Sequence, residues 1–220
     1  MKLLLTSSGL ENNSIIKALS DLLQKPFEES KIAFIPTASN LEEGDKKDWL
    51  IKDLEKLKEL KFSSIDIVDI SALPKEIWLE RLKAADIFYV EGGNTYHLMY
   101  WMNKSGLSEI LSELLKTKIY IGVSAGTVAV TPSLLNNPEN KPAVLEINET
   151  AYDQGLSLVN FMIEPHINSV WFPESTFKDL EKRSKKYFYP IYGIDDNSAI
   201  KIDGDKIELI SEGEWKKFEK

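Results

Sequence analysis

The sequence contains no cysteine and only two histidines, His97 and His166. Without cysteine the chain can form neither a disulfide nor a thiolate metal site, and a cysteine nucleophile is excluded. Nucleophilic catalysis would therefore have to use a hydroxyl group, with one of these two histidines as its base. The apolar run at residues 3–5 is also too short for a signal peptide or a membrane span, so we expect a cytoplasmic protein without membrane contact.

Acidic residues outnumber basic ones, 35 to 27. The formal net charge is -8 and the isoelectric point is near 5.0. Nucleic acids and anionic membranes require a basic face, so the composition predicts neither as a partner and favours a small molecule. A chain of 220 residues with 43% apolar content can bury one substantial core, and we predict a single domain over residues 1–220.

Short apolar runs alternate with stretches of helical periodicity. The predicted strands are residues 2–6, 32–37, 65–70, 87–90 and 119–123, and the predicted helices are 13–23, 47–60, 74–85 and 107–115. Further on, we predict a strand at 158–163, a helix around 174–186, and strands 199–202 and 206–210 joined as an edge hairpin. This alternation predicts an α/β fold with a doubly wound, mostly parallel sheet between helices, as in flavodoxin.

The segment Gly122-Val123-Ser124-Ala125-Gly126 lies where the fifth predicted strand meets a helix. It matches the nucleophile-elbow pattern G-x-S-x-G, in which a sharp turn exposes the serine hydroxyl. The free amides at the start of the following helix favour developing negative charge. Ser124 is therefore the candidate nucleophile and the Ala125 amide a candidate oxyanion donor.

Of the two histidines, His166 is the better candidate base. It follows the predicted strand that ends at Ile163, and catalytic groups in open α/β sheets collect at the carboxyl ends of strands. His97 lies about one turn inside a predicted helix, where a histidine without a catalytic role is the more common case.

A second strand-glycine-helix junction precedes His97. Gly92 and Gly93 leave backbone amides uncovered, so either could supply another oxyanion donor, and Asn94 is a candidate substrate contact. The alternative interpretation is an ordinary glycine turn in which Asn94 or Thr95 caps the helix.

The acid that would orient the histidine has several candidates. Glu139 is the first acid after Ser124, in a long polar loop, and the amide of the adjacent Asn140 could do the same work. Asp195 and Asp196 are rivals at the end of another predicted strand.

Taken together, these motifs resemble peptidase family S51, the aspartyl dipeptidases and their cyanophycinase relatives. The resemblance rests, in chain order, on Ile35-Pro36-Thr37-Ala38-Ser39, Gly92-Gly93-Asn94-Thr95, Gly122 to Gly126, Pro165-His166 and Ile194 to Ala199. It implies a fold like that of the class I glutamine amidotransferases, with serine replacing their cysteine. It also implies hydrolysis of small dipeptides with an N-terminal aspartate.

The sequence thus predicts a serine exopeptidase that uses Ser124, His166 and Glu139, requires neither metal nor organic cofactor, and is compatible with a homodimer. An aspartyl substrate would need a local cation, for which Lys141 is one option. One alternative is an S51-like protein with altered catalysis and another peptide or small-molecule substrate. Two others are an esterase of the α/β-hydrolase fold and a flavodoxin-like module that only binds an anionic ligand.

Overall fold

Ten strands and eight helices are found in the computed structural model, which describes residues 1–42, 46–134 and 141–219. The strands are β1 (Lys2–Thr6), β2 (Lys31–Ile35), β3 (Ser64–Ile67), β4 (Ile87–Val90), β5 (Ile119–Val123), β6 (Met162–Glu164), β7 (Ile191–Ile194), β8 (Ser198–Asp203), β9 (Lys206–Ser211) and β10 (Trp215–Phe218). The helices are α1 (Asn13–Leu23), α2 (Asp48–Glu59), α3 (Lys75–Ala84), α4 (Thr95–Lys104), α5 (Leu107–Leu114), α6 (Ala125–Ala129), α7 (Lys141–Glu146) and α8 (Phe177–Ser184).

Seven strands form the main sheet in the order β3-β2-β4-β5-β1-β8-β9. The first five of these are mutually parallel, whereas β8 runs antiparallel to β1 and β9 antiparallel to β8. The predicted α/β class and the antiparallel C-terminal hairpin at the edge of the sheet are confirmed. Because the five parallel strands share one direction, their carboxyl ends lie along a single edge.

Both faces of the main sheet are covered, as expected for a parallel sheet. Alternate residues of β1 point to opposite faces: Leu3 and Leu5 join one buried cluster, and Leu4 joins the other. Helix α1 packs on the Leu4 face through buried residues such as Ile15 and Leu19. No helix within the described ranges is both long and apolar enough to cross a membrane.

A second, three-stranded sheet has the order β10-β7-β6. The strand predicted at 158–163 is observed as Met162–Glu164, and it pairs with β7 in this small sheet instead of with the main sheet. The residues just before it run beside the end of α6, where the Leu158 amide donates to the Val130 carbonyl at 2.9 Å. His166 therefore reaches the elbow from a separate sheet.

Candidate active site

Ser124 stands between the end of β5 and the start of α6 with φ 46° and ψ −104°, a conformation that non-glycine residues rarely adopt. Its backbone is held on both sides: the Ser124 amide donates to the Thr6 carbonyl at 3.2 Å, and the Ser124 carbonyl accepts from the Val128 amide at 2.9 Å. A side chain at Gly126 would collide with the Val90 carbonyl. The predicted elbow is thus present, and close backbone packing explains its glycine.

His166 follows β6 and lies beside Ser124, with its Nε2 atom 2.8 Å from the Ser124 Oγ. The His166 backbone has φ 60°, in the left-handed region, and its amide donates to the Ser7 Oγ at 2.8 Å. The structure therefore brings together the two residues that the sequence selected as nucleophile and base.

Asp196 is the carboxylate that faces the histidine. Its Oδ1 atom lies 2.7 Å from the His166 Nδ1. Because a carboxylate can only accept, Nδ1 must carry the hydrogen, which leaves Nε2 of a neutral ring free to accept from the Ser124 hydroxyl. A hydrogen-bonded series of hydroxyl, imidazole and carboxylate results.

The other candidate acids do not occupy this position in the described part of the chain. Asp195 accepts from the Ser198 hydroxyl at 2.6 Å and from the Glu214 amide at 2.6 Å, so it organises the turn before β8. Glu139 and Asn140 lie outside the described residues. In the described part of the chain, the carboxylate at the His166 Nδ1 is that of Asp196, which the sequence analysis ranked below Glu139.

Two serines that sequence reasoning missed hold Asp196 in place. Ser7 and Ser8 both donate to its Oδ1, at 2.9 and 2.7 Å. Partial burial opposes ionisation of Asp196, but the hydrogen bond and charge attraction of His166, with hydrogen bonds from Ser8 and Ser169, keep its pKa well below the ordinary value. The available signal was the position of Ser7 and Ser8 directly after β1, at the same sheet edge as the elbow.

The glycine junction after β4 differs from the prediction at Gly92. The Gly92 amide donates to the Oε1 atom of Glu91 at 2.8 Å, so it is not available as an oxyanion donor. Gly92 instead allows close approach: a Cβ at this position would lie 3.4 Å from the Ser124 Cβ. Gly93 has φ 125° and packs on the Ala38 carbonyl. Within the described ranges, the amides of Gly93 and Ala125 have no hydrogen-bond acceptor.

Asn94 is a helix cap in the structure. Its Oδ1 accepts from the His97 amide at 3.0 Å at the start of α4, and only 3% of the residue is exposed. The alternative interpretation of this junction therefore describes Asn94 better than the predicted substrate contact.

His97 is also buried, with Nδ1 2.6 Å from the Glu149 Oε2, and Trp101 donates to the other oxygen of that carboxylate. This histidine joins α4 to the segment after α7.

An apolar surface borders His166. The ring of Phe172 stacks on the imidazole, with 4.6 Å between centroids and 22° between planes. Phe172 is nevertheless 50% exposed, and the neighbouring Trp171 and Val170 are 82% and 86% exposed. Large apolar side chains this exposed beside a reactive group are unusual and mark a contact surface.

Cations near the site are few. Lys141 pairs with Asp153 at 2.8 Å, and both arginines are paired as well, Arg81 with Asp66 and Arg183 with Glu164. On the Gly92 side, Trp49 would lie 3.7 Å from a Cβ at that glycine, and the Lys47 ammonium lies 5.7 Å from the centre of the Trp49 ring. The described ranges contain no group of three or more acidic or histidine side chains placed to hold a metal ion.

A serine hydroxyl, an imidazole and a carboxylate joined in this order at an α/β elbow form the constellation of a serine hydrolase. The chain belongs to peptidase family S51, whose model matches residues 3–210. The family predicted from the motifs is thereby confirmed, and with it a peptidase class of hydrolase.

Similar proteins agree with this assignment. An uncharacterized peptidase of Listeria monocytogenes is 32% identical over 177 residues, covering 80% of this chain and 83% of the relative. Peptidase E of Nostoc sp. is 28% identical over 82% of this chain and 72% of its own length. A crystal structure of a peptidase E candidate from Listeria monocytogenes EGD-e superposes with a TM-score of 0.80 at 26% identity, covering 96% of this chain and 98% of that one.

Proposed function

We propose that this protein is a serine peptidase in which Ser124 is the nucleophile, His166 the general base and Asp196 the residue that orients His166. The observation that carries the proposal is the continuous series from the Ser124 Oγ to the His166 Nε2 at 2.8 Å and from the His166 Nδ1 to the Asp196 Oδ1 at 2.7 Å. The strained elbow conformation of the half-buried Ser124 supports it, because nucleophilic serines adopt such turns.

The reaction would follow the usual two stages of acyl transfer. The Ser124 Oγ attacks the scissile carbonyl carbon while its proton passes to the His166 Nε2, and that proton is then given to the leaving amine as the C–N bond breaks. Water next attacks the acyl-serine ester, again losing a proton to His166, and releases the carboxylic acid and the serine. Asp196 stabilises the imidazolium cation formed in each stage.

The oxyanion of each tetrahedral intermediate requires preorganised donors. We assign this role to the backbone amides of Ala125, which follows Ser124, and of Gly93, which follows Gly92; both amides lack acceptors within the described residues. Ala125 opens α6, where the helix end favours negative charge.

The substrates we propose are dipeptides with an N-terminal aspartate, as the resemblance to the aspartyl dipeptidases implies. With a net charge of -8, the field of the whole chain opposes an acidic substrate, so a local cation is needed. On the Gly92 side the Lys47 ammonium lies near Trp49 and already donates to the Ser39 and Glu42 carbonyls at 2.8 and 2.5 Å, so a substrate carboxylate there would add to a cation that has partners.

The leaving residue would be apolar. His166 must pass its proton to the leaving amine, so the side chain of that residue lies near the imidazole and within reach of Phe172. The exposed apolar faces of Phe172 and Trp171 would be covered by such a side chain.

The testing experiment is release of free amino acid from Asp-Xaa, Glu-Xaa, Leu-Xaa and N-blocked dipeptides by wild type and by Ser124→Ala. Cleavage of unblocked Asp-Xaa that depends on Ser124 would support the whole proposal. Cleavage of a different class would retain the mechanism and discard the aspartyl specificity. No turnover by folded wild type would contradict the peptidase assignment and favour a protein that only binds its ligand.

A further inference from the structure

Behind the Gly92 loop lies a pair of buried acids that the proposed mechanism does not use. Glu91, directly after β4, is fully buried, and Asp53, on α2, is 6% exposed. Tyr89 donates its phenolic hydrogen to the Asp53 Oδ2 at 2.8 Å. The site is closed by Gly9, where a Cβ would lie 2.7 Å from the Asp53 Oδ1. The Asp53 carboxyl group is therefore enclosed by Tyr89 and Gly9, without room for a larger residue at position 9.

The two carboxyl groups cannot both be charged in such a site. The Glu91 Oε2 has no hydrogen-bond partner among the described residues, and the Glu91 carboxyl group interacts electrostatically with that of Asp53. Burial raises the pKa of Asp53 to about 7, and burial together with the nearby Asp53 raises the pKa of Glu91 well above its ordinary value. One proton shared between them satisfies the Oε2 and removes one buried charge.

Among the described residues, the lysine that precedes Asp53 on the same helix is already paired. Lys52, on the same helix as Asp53, is engaged by Glu11, with its ammonium 2.6 Å from the Glu11 Oε1. The charge of Glu11 further raises the pKa of Asp53, which Lys52 partly offsets. Burial raises the pKa of Tyr89 well above its ordinary value, so the phenol stays neutral and acts as a donor. The shared proton therefore lowers the free-energy cost of burying the two carboxyl groups.

We propose that Glu91 is a positioning residue for the oxyanion site. Its Oε1 fixes the Gly92 amide at 2.8 Å, and Gly92 in turn packs against Ser124. The next peptide supplies the Gly93 amide, so the orientation of that donor depends on the hydrogen bond at Gly92. This inference rests on the proposed function of Ser124.

The protonation state of Glu91 should also affect the rate of acylation. A carboxylate next to the Gly92 amide would face the negative charge that develops on the substrate oxygen, in a site where water screens little. Loss of the shared proton should therefore slow acylation, and activity should decline on the alkaline side. Glutamine at position 91 would retain the acceptor for Gly92 and a donor for Asp53, but it could not ionise.

The test is the rate at which a fluorophosphonate labels Ser124 between pH 6 and 10. The reagent loses fluoride as the Ser124 Oγ bonds to phosphorus, so the assay does not depend on knowing the peptide substrate. The variants are Glu91→Gln, Glu91→Leu and Glu11→Gln, the last as a control for general loss of a nearby negative charge. Circular dichroism would establish that each variant is folded.

We expect the wild-type labelling rate to decline by about tenfold or more on the alkaline side, and Glu91→Gln to keep the neutral-pH rate within about threefold without that decline. Glu91→Leu should lose about tenfold or more at every pH, while Glu11→Gln follows wild type. An alkaline decline in Glu91→Gln equal to that of wild type would overturn the inference. If Glu91→Leu does not fold, the pH profile of Glu91→Gln alone tests the inference.

The failure of the inference and that of the proposed function give different results. If folded wild type is not labelled at Ser124 at any pH, both are wrong. If wild type is labelled, Ser124→Ala is not, and the Glu91→Gln profile equals that of wild type, only the role of Glu91 is wrong.

Discussion

The Oδ1 atom of Asp196 lies 2.7 Å from the Nδ1 of His166, although the two residues are 30 positions apart and belong to different segments of the fold. Asp196 reaches this position because its Oδ1 also accepts from Ser7 and Ser8, which follow β1. The carboxylate that sets the tautomer of His166 is thus fixed by two serines at the carboxyl end of β1.

Asp196→Asn should reduce kcat for the peptide substrate by about 10³–10⁴-fold, because an amide can hold the imidazole in the wrong tautomer. Asp195→Asn is the matched control, since Asp195 contacts the turn before β8 and not His166. Glu139→Gln is expected to retain kcat within about threefold, as Asp196 occupies the acid position. Steady-state kinetics of the three variants decides, and a large loss only in Glu139→Gln would refute this assignment.

Gly93→Ala should reduce kcat by at least about 100-fold, because the new side chain would meet the Ala38 carbonyl and displace the proposed oxyanion donor. Gly204→Ala is a control with the same kind of backbone demand: Gly204 has φ 61°, and a Cβ there would have no neighbour within 4 Å. The control should lose some stability and little activity. Equal kcat in both variants would argue against a role for Gly93.

Phe172→Ala should lower kcat/KM for Asp-Leu by about five- to tenfold relative to Asp-Ala, because the leaving residue loses an aromatic contact. The suitable control is Phe188→Ala, which removes another exposed aromatic ring, one that contacts Tyr189. Competition between the two dipeptides in one reaction measures the ratio directly. An unchanged ratio would show that the apolar surface beside His166 does not contact the leaving residue.

Thermal stability should fall as the pH rises from about 4 to 7, because the acid Asp53 has a folded pKa of about 7, raised above its unfolded value. Above pH 4 the unfolded chain releases a proton that the folded chain retains, so stability present at low pH is lost until the folded pKa is passed. The difference should be roughly 2–4 kcal/mol. Asp196, whose pKa is lowered, loses its stabilising contribution only below about pH 4 and is constant in this window.

The isosteric double variant Asp53→Asn/Glu91→Gln separates this effect from other titrations. Melting temperatures of wild type and the double variant, measured from pH 5 to 8, should diverge because only wild type loses stability through the acid pair. Glu11→Gln serves as the control for an exposed carboxylate in the same area. Parallel curves for wild type and the double variant would contradict the assignment of the shared proton.

Local sequence patterns were sufficient to predict those parts of the candidate site that depend on backbone geometry. The glycines around Ser124 predicted the elbow because a residue with a side chain cannot occupy Gly126 beneath the Val90 carbonyl. His166 was identified because the chain offers only two histidines and the other lies within a helix. Periodic apolar residues likewise predicted the alternation of strands and helices, since burial on two sheet faces imposes that spacing.

Contacts between distant segments of the chain decided which carboxylate and which backbone amides face the candidate site. Whether Asp195 or Asp196 faces the imidazole depends on which carboxylate Ser7 and Ser8 reach, across nearly the whole chain, and adjacent residues of one type give no local signal for it. The same holds for the Gly92 amide, which donates to the Oε1 of the buried Glu91 side chain and is therefore not available to a substrate. The sequence by itself therefore determined the elbow, the glycine junctions and the candidate base, since these follow from neighbours along the chain. Tertiary structure decided the partner of the base and the availability of each donor, because hydrogen bonds between distant segments select among side chains that are locally equivalent.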